Sequence, residues 1–140
     1  MSISSGTDVR ERIRRFLAAS TFAVAGASQD SRKYGHKVYR CYLQHDRKVY
    51  PINPNAAAVL GNTAYPNLAS LPEPVDAISI ITPPPVTEQV IRDAIAAGVK
   101  HVWMQPGAES TAAIVEAEAA GLNVVAGGPC ILVVMGYRET

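Results

Sequence analysis

The sequence predicts an α/β chain, a doubly wound and mostly parallel sheet in a single domain over residues 1–140. Three features carry that class. Short apolar runs with the composition of buried strands alternate with stretches whose apolar residues recur at helical spacing. Glycine separates helix from strand at Gly98 and Gly121 and lets the first strand turn at Gly26. The most strand-like run, Asp76 to Thr82, stops at three successive prolines, Pro83 to Pro85.

Taken in order, residues 1–6 read as a mobile tail. Asp8 followed by Glu11 reads as a helix cap, with Val9, Ile13, Phe16 and Leu17 as the apolar stripe behind it. Thr21 to Ser28 is an apolar run ending in small residues, a buried parallel strand that turns at Gly26. A helix follows from Gly35 to His45, with Tyr34, Val38, Cys41, Tyr42 and His45 along one face. Lys48 to Ile52 predicts a second strand, stopped at Asn53, Pro54 and Asn55. Ala56 to Leu60 predicts a short helix closed by Gly61, and Thr63 to Tyr65 a short third strand. Asn67 to Pro74 is a surface connection with two buried leucines. After the strand Asp76 to Thr82, a helix entered near Pro85 runs to about Ala97. His101 to Gln105 is a strand, Glu109 to Ala120 a helix and Leu122 to Ala126 the last strand. Gly127 to Cys130 is a turn, and Ile131 to Met135 is a final core segment or an interface.

A chain of 140 residues buries roughly two thirds of its unfolded surface without help from metal or disulfide. Thirteen basic against 12 acidic residues leave a net charge of +1, so no global field draws nucleic acid or an anionic membrane. Any anion must be bound locally. Cys41 and Cys130 make no metal-ligand cluster and read as thiols of a reducing compartment. The polar, then charged N-terminus lacks the apolar segment of a signal peptide, and no run reaches the ~20 apolar residues of a membrane span. These features predict a soluble cytoplasmic protein.

A doubly wound sheet binds its ligand outside the carboxyl ends of its strands. Four strand ends therefore matter: Gly26 to Ser28, Ile52 to Pro54, Thr82 to Pro84 and Gln105 to Gly107. The first is a strand, a small-residue loop and a helix N-terminus, a ready site for a phosphate or pyrophosphate. A nicotinamide or flavin dinucleotide is the obvious candidate, but the loop has Gly26-x-Ser28 and no further glycine until Gly35. The second strand also ends at Ile52-Asn53-Pro54, without the acid that dinucleotide domains use for the adenosine ribose. Arg32 and Lys33 in the first loop suit a ligand with more phosphate than NAD.

Val24-Ala-Gly-Ala-Ser28, Lys33-Tyr-Gly35, Val49-Tyr-Pro-Ile-Asn-Pro-Asn55 and Val59-Leu-Gly61 stand in that order. Ala64-Tyr-Pro-Asn-Leu68, Leu71-Pro-Glu-Pro-Val-Asp76, Ala97-Gly98, Val102-Trp-Met-Gln105 and Ala120-Gly-Leu122 follow them. In this order and spacing the chain resembles the small stand-alone coenzyme A-binding proteins. These are similar in turn to the CoA-binding Rossmann domain of the succinyl-CoA synthetase alpha subunit. The resemblance implies a Rossmann-like fold that holds CoA or an acyl-CoA. The diphosphate would lie on Gly26, Ala27 and Ser28, with Lys33, Tyr34 and Gly35 beside it. Asn53 and Pro54 would face the adenine end, and Thr82, Pro83 and Pro84 would run along the cofactor.

Each of these residues also has a plainer reading. Gly26 and Ser28 serve a tight turn, Lys33 is a solvated loop charge, Asn53 and Pro54 are turn chemistry, and Thr82 with its prolines is a rigid loop exit. His36 reads as neutral and exposed at the helix start, His45 and His101 as structural, Cys130 as a structural or merely reactive thiol, and Trp103 and Tyr65 as core. Two departures from the family stand out. The stand-alone members commonly carry an Arg before the late cysteine and acidic and aromatic residues after it, whereas here Gly127-Gly-Pro-Cys130 precedes Ile131-Leu-Val-Val-Met135. The synthetase subunit carries its phosphorylated histidine in a second domain that this chain lacks. The expectation is therefore a non-catalytic CoA carrier, sensor or regulator, alone, as a homodimer or with a larger enzyme. The alternatives are an NAD(P)-binding regulator or small oxidoreductase, and an interaction module.

Overall fold

The computed structural model of the chain describes residues 5–139. Five parallel strands form the sheet: β1 (Phe22–Ala25), β2 (Val49–Ile52), β5 (Ala77–Ile80), β6 (His101–Met104) and β7 (Asn123–Val125), in the order β2-β1-β5-β6-β7. The helices are α1 (Ser5–Leu17), α2 (Tyr34–Gln44), α3 (Pro84–Ala97), α4 (Thr111–Ala119) and α5 (Ile131–Met135). This is the expected Rossmann-like α/β architecture.

The two-residue period of the strands divides the core. Phe22, Val24, Trp103 and Val125 pack with α1, α2 and α5, while Ile78, Ile80, Val102 and Met104 pack with α3 and α4. On the first face an aromatic train runs from Trp103 through Phe16 and Phe22 to Tyr42, with centroid spacings of 5.3, 5.7 and 5.0 Å. Trp103 is core, as expected, whereas Tyr65 is only half-buried, edge-on to Tyr50. Pro51 sits in β2, an outer strand, where its missing N–H costs no central ladder bond.

Four local expectations need correction. The expected tail covers residues 1–6, of which 1–4 lie outside the described residues; Ser5 and Gly6 are already helical, so Asp8 lies inside α1 and not at the position before its first turn. Residues Ala56 to Leu60 do not form a helix. Ala58–Val59 (β3) pairs antiparallel with Asn62–Thr63 (β4) around Leu60 and Gly61. Both turn residues have positive φ, 51° and 79°, which a tight two-residue hairpin demands and a helix forbids. Of the expected third strand, Thr63 ends β4, and Tyr65 only bridges to Ile52 at the edge of β2. The segment Ile131 to Met135 forms the short helix α5, with Ile131 fully buried in the core and Val133 80% exposed.

Burial also sets an alkaline limit on stability. Cys41 is completely buried, and burial, with Cys130 nearby, pushes its thiol from 9.0 up to about 11. A raised acid stays protonated in the folded chain while the unfolded chain ionises. The stabilisation is therefore complete below pH 9 and is lost between pH 9 and 11, on the order of 2 to 3 kcal/mol. Urea midpoints measured from pH 8 to 11 should fall across that window, and Cys41→Ala should flatten the fall between pH 9 and 10. An unchanged slope in the variant would assign the effect to other groups, the buried hydroxyl of Tyr42 first among them.

Candidate functional site

The chain passes from β1 outward to β2 and then returns to the other side of β1 to lay down β5. Strand order therefore reverses between β1 and β5, the position at which a doubly wound sheet places its ligand crevice. The loop after β1 holds Gly26, Ala27 and Ser28, and the loop after β5 holds Ile81, Thr82 and Pro83.

Two glycines make this crevice by close approach. Gly26 has φ +97°, and a Cβ on it would lie 2.1 Å from the carbonyl oxygen of Ile81. Gly35, in the first turn of α2, would place a Cβ 1.9 Å from the carbonyl oxygen of Gly26. Both obstructions are backbone atoms, so only glycine lets α2 begin directly against the β1 loop. Although the spacing departs from the dinucleotide fingerprint, Gly35 meets the same need for tight helix-to-strand packing.

The loop is then fixed from two sides. His36 Nδ1 donates to the carbonyl of Ser28 at 2.8 Å, and Asn53 Nδ2 donates to the carbonyl of Ala27 at 2.8 Å. His36 is 6% exposed, not exposed as its place at a helix start suggested, because its ring turns back onto the loop. Asn53 is occupied at both ends, its Oδ1 accepting from Asn55 N at 2.7 Å. Thr82 is likewise engaged, its hydroxyl 2.7 Å from that of buried Thr87.

Several donors are left over at the crevice. The amides of Ala27, Ser28, Tyr34 and Gly35 reach no carbonyl among the described residues. Ser28 Oγ accepts from Asp30 N at 3.0 Å, which leaves its own proton to give. No acidic side chain occupies the first turn of α2, so the helix N-terminus keeps its positive character. Of the two loop cations only Lys33 is unpaired among the described residues. Arg32 is forked onto Asp30 by two 3.0 Å bonds, which draw that carboxyl down to about 2. Pro54, Pro83 and Pro84 are exposed at the ends of β2 and β5.

A second cluster lies beyond β6. The Tyr34 hydroxyl donates to Gln105 Oε1 at 3.0 Å and lies 2.7 Å from Cys130 Sγ. Ile131 N also donates to Gln105 Oε1, at 3.0 Å. Burial and the Cys130 contact push the Tyr34 hydroxyl pKa upward. Trp103 Nε1 donates to the carbonyl of Pro129 at 3.0 Å and so pins the loop that carries Cys130. Sequence reasoning marked the Gln105 strand end but did not place Gln105 in the site. The usable signal was a glutamine closing an otherwise apolar strand on the ligand side of the sheet.

The remaining histidines are structural. His101 Nδ1 accepts from Asn123 Nδ2 at 3.0 Å, and His45 Nε2 donates to the carbonyl of Gly136 at 3.1 Å. Among the described residues no group of acidic, cysteine and histidine side chains would hold a metal. No helix there is long and apolar enough to cross a membrane.

Comparison with known proteins fits this arrangement. A family model described as a CoA binding domain matches residues 20–136. The alpha subunit of an ADP-forming acetate–CoA ligase II from Pyrococcus furiosus is 35% identical over 88 residues, 62% of this chain and 19% of that subunit. A solved structure of a conserved hypothetical protein from Pyrococcus furiosus is 38% identical with a TM-score of 0.76, covering 81% of this chain and 97% of that one. A hypothetical protein from Pyrococcus horikoshii superposes with a TM-score of 0.85 at 27% identity, over 95% of both chains. The chain spans less than a fifth of the ligase subunit that it matches.

Proposed function

This chain belongs to the CoA-binding domain family, and on that footing we propose that it holds coenzyme A or an acyl-CoA in the β1–β5 crevice as a carrier, sensor or regulator without catalysis of its own. The observation that carries this reading is the Gly26–Gly35 approach. It brings the leftover amides of Ala27, Ser28, Tyr34 and Gly35 to one spot at a helix N-terminus, with no acid in the first turn of that helix and the loop's Asp30 neutralised by Arg32. A diphosphate fits that donor set, with the Ser28 hydroxyl as a further donor and Lys33 supplying a charge. Asn53 and His36 act one step back, holding the loop in shape, and the prolines after β5 make a donor-free wall. The ligase relatives are several times longer, so a larger enzyme is the partner proposed for a carrier of this size. Two free thiols, Cys41 and Cys130, suit a reducing cytoplasmic setting.

Thermal unfolding with CoA, NAD and NADP side by side tests the reading. At about a hundred times its dissociation constant, CoA adds ~2.7 kcal/mol and raises the midpoint by several degrees. Lys33→Glu should weaken CoA by ~1 to 3 kcal/mol through loss of a charge-assisted contact. A midpoint raised by a nicotinamide cofactor and untouched by CoA would replace this proposal with a dinucleotide-binding one.

A further inference from the structure

Gln105 is fully buried, and its Nε2 is a buried side-chain donor without a partner among the described residues. The amide cannot be reversed to relieve this, because Ile131 N–H requires an oxygen at the Oε1 position. Tyr34 gives its one proton to that same oxygen, so the Tyr34–Cys130 contact leaves the thiol as donor to the tyrosine oxygen. Every member of the cluster is thus satisfied except two N–H bonds on Gln105, and these call for an acceptor.

Sheet order places it along the crevice. Strands lie ~4.8 Å apart, so the end of β6 is about 10 Å from the phosphate-binding end of β1. The arm of CoA between diphosphate and thiol is longer than three extended residues, each of which spans ~3.3 Å. With its diphosphate on the β1 loop, the ligand's thiol end reaches the strand end that carries Gln105. We infer that Gln105, flanked by Tyr34 and Cys130, is a subsite for the carbonyl oxygen of an acyl thioester, so that the protein prefers acyl-CoA to free CoA. The inference rests on the CoA reading above. Tyr34 and Cys130 are half-buried where Gln105 is not exposed at all, so they are the groups that part as the acyl group enters.

The test is calorimetric titration of the full chain with CoA, acetyl-CoA and S-ethyl-CoA, a thioether that lacks only the carbonyl oxygen of acetyl-CoA. Acetyl-CoA should bind about tenfold more tightly than S-ethyl-CoA. Gln105→Glu keeps an acceptor for Tyr34 and Ile131 and, as the carboxylate, offers no donor. It should abolish that ratio. If the variant does not fold, the wild-type ratio decides alone. Equal affinity for the two ligands assigns Nε2 to an internal water and overturns the inference while CoA binding stands. Absence of binding by all three overturns the CoA reading itself.

Discussion

The Gly35→Ala protein is expected to unfold about 10 °C below the wild type and to lose CoA binding by more than about tenfold, even at temperatures where it remains folded. The added methyl would lie 1.9 Å from the carbonyl oxygen of Gly26, and neither partner is a side chain able to swing aside. Relief requires α2 to draw away from the β1 loop. Overpacking costs roughly 1 to 3 kcal/mol where side chains adjust, and the upper end or beyond is expected against backbone. For a domain of this size 3 kcal/mol is on the order of 10 °C. The same movement withdraws the Tyr34 and Gly35 amides from the proposed diphosphate site, which couples the expected loss of binding to the loss of stability. Gly121→Ala is the control, because φ is positive at +84° there but nothing stands within 4 Å. It should cost about 1 kcal/mol of backbone strain and leave CoA affinity alone. If both variants melt together and bind alike, the close approach at Gly35 is not what shapes the site.

Trp103→Ala should remove roughly 3 to 5 kcal/mol, a large share of the ~5 to 15 kcal/mol available to a domain. The indole is fully buried and perpendicular to Phe16 at 5.3 Å, so truncation opens a cavity among the aromatic residues joining α1 and α2 to the sheet. Trp103→Phe separates packing from hydrogen bonding. It retains a ring but loses the 3.0 Å bond to Pro129, a loss of ~1 kcal/mol. The loop before Cys130 is then unpinned, and iodoacetamide should alkylate Cys130 several times faster in the phenylalanine variant. An unaltered alkylation rate would show that α5 and the Tyr34 contact hold the thiol without the indole. Urea unfolding of the alanine variant within about 1 kcal/mol of the wild type would contradict the packing argument.

The sequence by itself determined the alternation of strands and helices, because buried parallel strands and amphipathic helices write their burial into period and composition. It also located the strand-end loops, since small residues, proline and asparagine punctuate wherever the chain must leave the sheet. Gly26 to Ser28, Ile52 to Pro54 and Thr82 to Pro84 were located in this way, Lys33 by its charge in the first loop, and Tyr34 and Gly35 by the family resemblance. What those residues do was decided by contacts distant in sequence. Whether Gly35 is a spacer or a necessity depends on a carbonyl nine positions away, and whether Asn53 faces a ligand or the loop depends on Ala27. His36 looked exposed because helix position alone does not say which way a ring turns. Residues 56–61 were misread because a glycine after small residues closes a helix or turns a hairpin equally well. The positive φ of Leu60 and pairing across β3 and β4 chose the hairpin. The cluster of Tyr34, Gln105 and Cys130 draws on three elements separated by up to 96 positions. No local pattern encodes it, because strand order and helix packing alone bring those polar atoms within reach of one another.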